Sequence, residues 1–134
     1  AFSNVESKLI EALGLQEKVF QYTVQEQYIR SFYKNALLFV FPSLYEGFGL
    51  PILEAFEAGC PAAISNTSSF PEVGGDSVAF FDPTSAESIK KCIVNLLDNE
   101  IDRNRLIEQG QHRLTQFDIQ RSMTKTLEVY QSLL

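Results

Sequence analysis

The chain has 134 residues, 45% of them hydrophobic and 21% charged, which suits one compact domain with a buried core and excludes two full cores or a disordered chain. Eleven basic residues against seventeen acidic ones leave a formal charge of −6, and no stretch concentrates Lys and Arg as a nucleic-acid or anionic-lipid surface would require, so polyanionic partners are disfavoured. No apolar run approaches the roughly 18 to 20 residues that a bilayer crossing needs, and the first residues lack the basic start and apolar stretch of a signal peptide.

In chain order, Ser3-Asn4-Val5-Glu6 has the pattern of a capping box and predicts a helix from about Asn4 to Leu13, closed by Gly14. Val19 to Tyr22 reads as a short strand, and Tyr28, Ile29, Phe32 and Tyr33 recur at helical spacing over Gln25 to Asn35. Leu37 to Phe41 is a continuous apolar run, as expected of a parallel strand covered on both faces, and is read as the central strand. A loop over Ser43 to Gly49, a helix over Pro51 to Ala58 stopped by Gly59, and a strand over Ala62 to Ser65 follow. A polar loop to Ser69, one helical turn over Phe70 to Val73 and a strand over Val78 to Phe81 continue the alternation. Thr84-Ser85-Ala86-Glu87 suggests a second capping box, opening a helix to about Asp98 with Ile89, Ile93, Leu96 and Leu97 inward. Two more helices are predicted, over Ile101 to Gln116 and Ile119 to Leu133, the last capped by Asp118 with Ile119, Met123, Leu127 and Tyr130 as its buried stripe.

This alternation implies an α/β fold, a Rossmann-like parallel sheet with helices on both faces, and such folds bind ligands at the carboxyl ends of their strands. Cys60 and Cys92 lack metal-ligand spacing and read as reduced, semi-buried thiols of a cytoplasmic protein.

The first place to look for chemistry is the segment after Phe41. Ser43-Leu44-Tyr45-Glu46-Gly47-Phe48-Gly49-Leu50-Pro51-Ile52-Leu53-Glu54 leaves a strand, turns on two glycines and enters a helix. With Pro51 as the first helical residue, Leu50 would stand at the N-cap, where leucine cannot satisfy the orphan N–H groups. Water or an anion could satisfy them, and Gly47 and Gly49 permit close backbone approach by a phosphate. Glu46 and Glu54 can point into one cleft, where carboxylates repel phosphate but accept from hydroxyls. A ligand with a diphosphate and several hydroxyls, such as a nucleotide sugar, would use every part of this element. The bland alternatives are a solvated loop acid at Glu46 and a helix-dipole carboxylate at Glu54.

The stretch FVFPSLYEGFGLPILEAFEAGCPAAISNTSSFPEVGGDSVAFFDP resembles the E-x7-E region of retaining GT-B glycosyltransferases, the glycosyl transferases group 1 or family 4, strongly over Leu37 to Pro83. The resemblance implies a catalytic role for Glu46 beside the donor sugar, with Glu54 accepting from the ribose hydroxyls. Gly47, Phe48, Gly49 and Leu50 complete the donor contacts, the amides of Gly49 and Leu50 holding the diphosphate. The implied activity is transfer of a hexosyl group from a nucleotide-diphosphate sugar, with retention, in polysaccharide or glycoconjugate synthesis. Neither metal nor cofactor is implied, and the chain has no DxD motif.

Within the same resemblance, the sugar, polyol or lipid-linked acceptor binds a separate N-terminal domain. That domain and the first strands of the donor domain have no counterpart here, nor do the family's diphosphate-neutralising Arg and Lys. Residues 1–134 are therefore expected to be one nucleotide-sugar-binding fragment, inactive alone, of an enzyme that is cytoplasmic or membrane-peripheral. Strands missing beside Leu37 to Phe41 would leave an apolar edge through which the fragment self-associates. Tyr22 stands where the family has a glycine near the nucleobase.

Two other functions fit the architecture: a nucleotide-sugar epimerase, which the single remote His112 argues against, and a non-catalytic nucleotide-binding module. Ser68 and Ser69 read as turn formers before phosphate ligands. Glu57 reads as a solvated helix face, Glu72 as an aid to a helical turn, and His112 as structural. Tyr45 and Phe48 either wall the sugar pocket or pack the loop.

Overall fold

The structure, a computed structural model, describes residues 1–133. Its elements are α1 (Asn4–Ala12), α2 (Glu26–Asn35), β1 (Phe39–Phe41), α3 (Leu50–Ala58), β2 (Ala62–Ser65), α4 (Phe70–Gly74), β3 (Ala79–Phe81), α5 (Ala86–Asp98), α6 (Glu100–Leu114) and α7 (Ile119–Ser132), with a 3-10 turn at Gly75–Ser77. The strands form one parallel sheet in the order β1-β2-β3. No described helix is long and apolar enough to cross a membrane.

All four residues of β2 are buried, and their side chains alternate between two cores. Ala62 and Ile64 face Ile52 and Phe56 of α3 and Phe70 and Val73 of α4. Ala63 faces Leu96 of α5 and Leu106 of α6. Small residues let these helices come close: a Cβ on Gly110 of α6 would lie 2.5 Å from the Phe56 ring. Because the strands are parallel, the segments after β1, β2 and β3 emerge at the same end of the sheet, which is what gathers the candidate site.

Local signals survive folding. Ser3 and Glu6 form the capping box, Gly14 and Gly59 take left-handed conformations at helix ends, and Asp118 caps α7 by accepting from the Gln120 N–H at 2.8 Å.

Other expectations are corrected. Val19 to Tyr22 is not a strand: its residues are exposed and form no ladder with the three-stranded sheet. The run from Leu37 narrows to Phe39–Phe41 and sits at the sheet edge, half-buried, while β2 holds the centre. Of the face expected on α2, Ile29 and Tyr33 are half-buried whereas Tyr28 and Phe32 are exposed.

At the start of α5 the cap is Ser85, accepting from the Ser88 N–H at 3.2 Å. Thr84 instead donates through both its N–H and its hydroxyl to Asp82, so the cap moves one residue on and an Asx turn stands in place of the expected box. Leu97 is exposed, and so is the whole stripe of Ile119, Met123, Leu127 and Tyr130, because no described element packs on that face of α7.

The Gly110 contact yields a test. Gly110→Ala gains helix propensity yet forces a methyl into a buried ring, so urea denaturation is expected to show a loss of about 1–3 kcal/mol. Gly47→Ala, with nothing within 4 Å of the added methyl, should leave the midpoint nearly unchanged.

Candidate donor site

The site is built where β1 hands over to α3. Gly49 is the N-cap, one residue earlier than the position of Pro51 suggests, and adopts φ +107°, a conformation that L side chains rarely take. Leu50 is then the first helical residue and Pro51 the second. Glycine, like leucine, offers no side-chain acceptor, so the entrance lacks a side-chain cap in this register too.

No side chain caps α3. Ile52 donates back to the Gly49 carbonyl at 2.9 Å and Pro51 has no N–H, while no acceptor among the described residues reaches the N–H of Gly49 or Leu50. Gly49 is buried against Ile52 and Phe70, and Leu50 is 62% exposed, so the entrance is backed by the core and open in front. Two free amides and the positive end of a nine-residue helix favour an anion there.

Separate neighbours hold the two acids. The Ser43 hydroxyl donates to Glu46 Oε1 at 3.0 Å, within the same loop. The Tyr33 hydroxyl of α2 donates to Glu54 Oε2 at 3.2 Å, across a groove of about 120 Å³ lined by Glu26, Ile29, Arg30, Tyr33, Glu54 and Glu57. Burial, then the Glu54 charge, pushes the Tyr33 hydroxyl up to about 12, so it stays a donor at any physiological pH. Its ring meets Phe39 edge-on at 5.0 Å, which fixes the hydroxyl relative to β1. Glu46 does not line this groove. The structure thus places both acids on the strand-to-helix element but gives them no shared partner among the described residues.

Gly47 is exposed with open space around it, and Phe48 packs edge-on against Phe117 at 6.0 Å. Phe48 keeps this one ring contact while staying exposed, and Tyr45 is more exposed still. Glu57 is held by Arg30 at 3.5 Å in an exposed pair, and His112 lies exposed on α6. Cys60 and Cys92 are free thiols, and burial pushes both up from the ordinary thiol range.

Tyr33 and Ser43 escaped the sequence reading as parts of the site. Tyr33 passes for one more apolar residue on a helical face. Ser43 carries a signal, the three-residue spacing to Glu46 that brings a serine hydroxyl within reach of a carboxylate.

Residues 2–113 match the family described as Glycosyl transferases group 1. Over 101 residues the chain is 40% identical to O-antigen chain mannosyltransferase B of Escherichia coli, covering 75% of this chain and 26% of that protein. It thus spans about a quarter of that relative's length. The fold superposes on sucrose-phosphate synthase from Thermosynechococcus elongatus with a TM-score of 0.84 at 22% identity, covering 96% of this chain and 33% of the other. It also superposes on the C-terminal domain of a glycosyl transferase group 1 family protein from Francisella tularensis, with a TM-score of 0.72 at 23% identity over 83% of this chain and 59% of that one. The architecture is accordingly that of the C-terminal domain of GT-B enzymes, and the chain belongs to the group 1 glycosyl transferases.

Proposed function

We propose that residues 1–134 are one donor-binding unit of a larger retaining hexosyltransferase, whose donor is a nucleotide-diphosphate sugar and whose acceptor is a sugar, polyol or lipid-linked glycan held by another domain. The observation that carries this reading is the uncapped entrance to α3, with free amides at Gly49 and Leu50 between Glu46 and Glu54. The amides take the diphosphate, Glu46 takes the sugar hydroxyls and faces the charge that develops as the diphosphate leaves, and Glu54 takes the ribose. A mannosyl group is the favoured cargo, supported by the 40% identity to a mannosyltransferase of O-antigen assembly. The two free thiols fit work in the reducing cytoplasm.

Charge limits what this unit does alone. Arg30 is engaged by Glu57, Arg105 by Asp102, and Arg113 donates to the carbonyls of Glu72 and Val73, so these guanidinium groups serve the fold. The unit binds its donor weakly and transfers nothing without cations and an acceptor site from the rest of the enzyme.

Self-association belongs to the same reading. The free edge of β1 borders an apolar groove of about 400 Å³ lined by Tyr22, Val24, Ile29, Phe32, Leu38 and Val40 among others, and Leu37 beside it is 59% exposed. An unpaired strand next to an apolar groove is a template for a second copy.

Calorimetric titration with GDP, UDP, GDP-mannose and UDP-glucose tests the donor site. At least one nucleotide should bind at sub-millimolar to millimolar concentration, Glu54→Ala should weaken every nucleotide about 10-fold, and Glu46→Gln should weaken only the sugar nucleotides. No heat from any of them at several millimolar sinks the reading. Sedimentation velocity tests the edge: dimers should appear at tens of micromolar and vanish in Leu37→Lys, whereas a monomer throughout that range overturns self-association.

A further inference from the structure

The loop over residues 43–49 has no regular secondary structure, yet it carries Glu46 and delivers Gly49 to α3. What fixes it is the segment after β2. Thr67 Oγ1 donates to the Leu44 carbonyl at 3.2 Å, Ser68 Oγ to the Glu46 carbonyl at 2.6 Å, and Ser69 Oγ to the Phe48 carbonyl at 2.8 Å. Three successive hydroxyls thus meet every second carbonyl of the loop. Ser68 grips hardest, because its Oγ also accepts from the Glu46 N–H at 3.4 Å, and Ser69 adds a second bond to the Glu46 carbonyl at 3.2 Å.

Ser68 does this from a left-handed backbone with φ +55°, the one positive-φ residue other than glycine among those described. Such a conformation is unfavourable for a residue with a Cβ and persists only where surrounding contacts over-determine it. The hydroxyl segment is itself anchored: the Asn66 N–H donates to the Phe81 carbonyl of β3 at 2.9 Å, and Phe70, which begins α4, is fully buried.

We propose that Thr67, Ser68 and Ser69 are positioning residues of the donor site, their hydroxyls setting where the Glu46 loop stands relative to the entrance of α3. Ser68 governs the sugar-facing acid and Ser69 governs Phe48 and the approach to Gly49. The role in donor binding rests on the function proposed above; the positioning of the loop does not. A turn-forming serine would need only its own backbone geometry, and these three spend their hydroxyls on another loop instead.

Ser68→Gly is the decisive variant, because glycine keeps the left-handed conformation without strain while the hydroxymethyl group and its hydrogen bonds are lost. Hydrogen exchange followed by mass spectrometry on the 134-residue chain should show amides of residues 44–50 exchanging about 3- to 10-fold faster, with β2 and the thermal midpoint unchanged. Ser68→Asn, which tolerates the same conformation and restores a donor, should return the loop toward wild-type exchange. In titrations, Ser68→Gly should weaken GDP-mannose or UDP-glucose about 3- to 10-fold while leaving GDP and UDP unaltered. Unchanged loop exchange in Ser68→Gly, or faster exchange spread evenly through β2, overturns the positioning claim. If the wild-type chain binds none of the four nucleotides, the donor reading fails and the exchange experiment alone decides the role of the hydroxyls.

Discussion

The arrangement at the strand ends depends on the double confinement of β2. All four of its residues are buried, and Ala63 and Ile64 are paired with β1 on one edge and β3 on the other, so this strand cannot shift without disrupting two cores at once. Ser65, its last residue, is buried and donates to the Phe41 carbonyl at 3.3 Å, which ties the end of β2 to the point where the Glu46 loop begins. The polar segment 66–69 thus starts from a fixed origin. The geometry of a flexible-looking loop is inherited from the stiffest strand in the molecule.

Phe70 extends that inheritance. It is fully buried, stacks obliquely on Phe41 at 5.2 Å, and lies just over 3 Å from where a Cβ on Gly49 would stand. One aromatic ring therefore touches the end of β1, the start of α3 and the start of α4. Glycine at position 49 is favoured by this crowding as well as by its positive φ, since a larger residue would meet the Phe70 ring as well as backbone strain.

Much of the fold was legible because its signals are local. The Ser3–Glu6 box, the glycine stop at Gly59, the Asp118 cap and the apolar run into β1 each depend on a few neighbouring residues. The entrance to α3 was legible for a related reason: two glycines and a proline between two glutamates constrain backbone and helix start together. What the sequence concealed depends on partners distant along the chain. Val19 to Tyr22 has strand composition but stays exposed and outside the sheet, and the apolar stripe of α7 has helical period but nothing lying on it. Tyr33 hid for a similar reason, since its hydroxyl meets Glu54, twenty-one positions further along the chain, only once the chain folds back. Ser68 looked like ordinary turn chemistry until its hydroxyl was seen to serve a loop twenty-two residues away.

The uncovered stripe of α7 has a thermodynamic meaning of its own. A fourteen-residue helix with no buried side chain gains nothing from packing, and a helix of that length is marginal in water on propensity alone. Its Asp118 cap biases where the helix starts without making it stable. Ordering and burial of this segment are therefore one coupled equilibrium: a surface that sheltered Ile119, Met123 and Leu127 would also supply its missing helicity, and the heat capacity of that docking would include the coil-to-helix change.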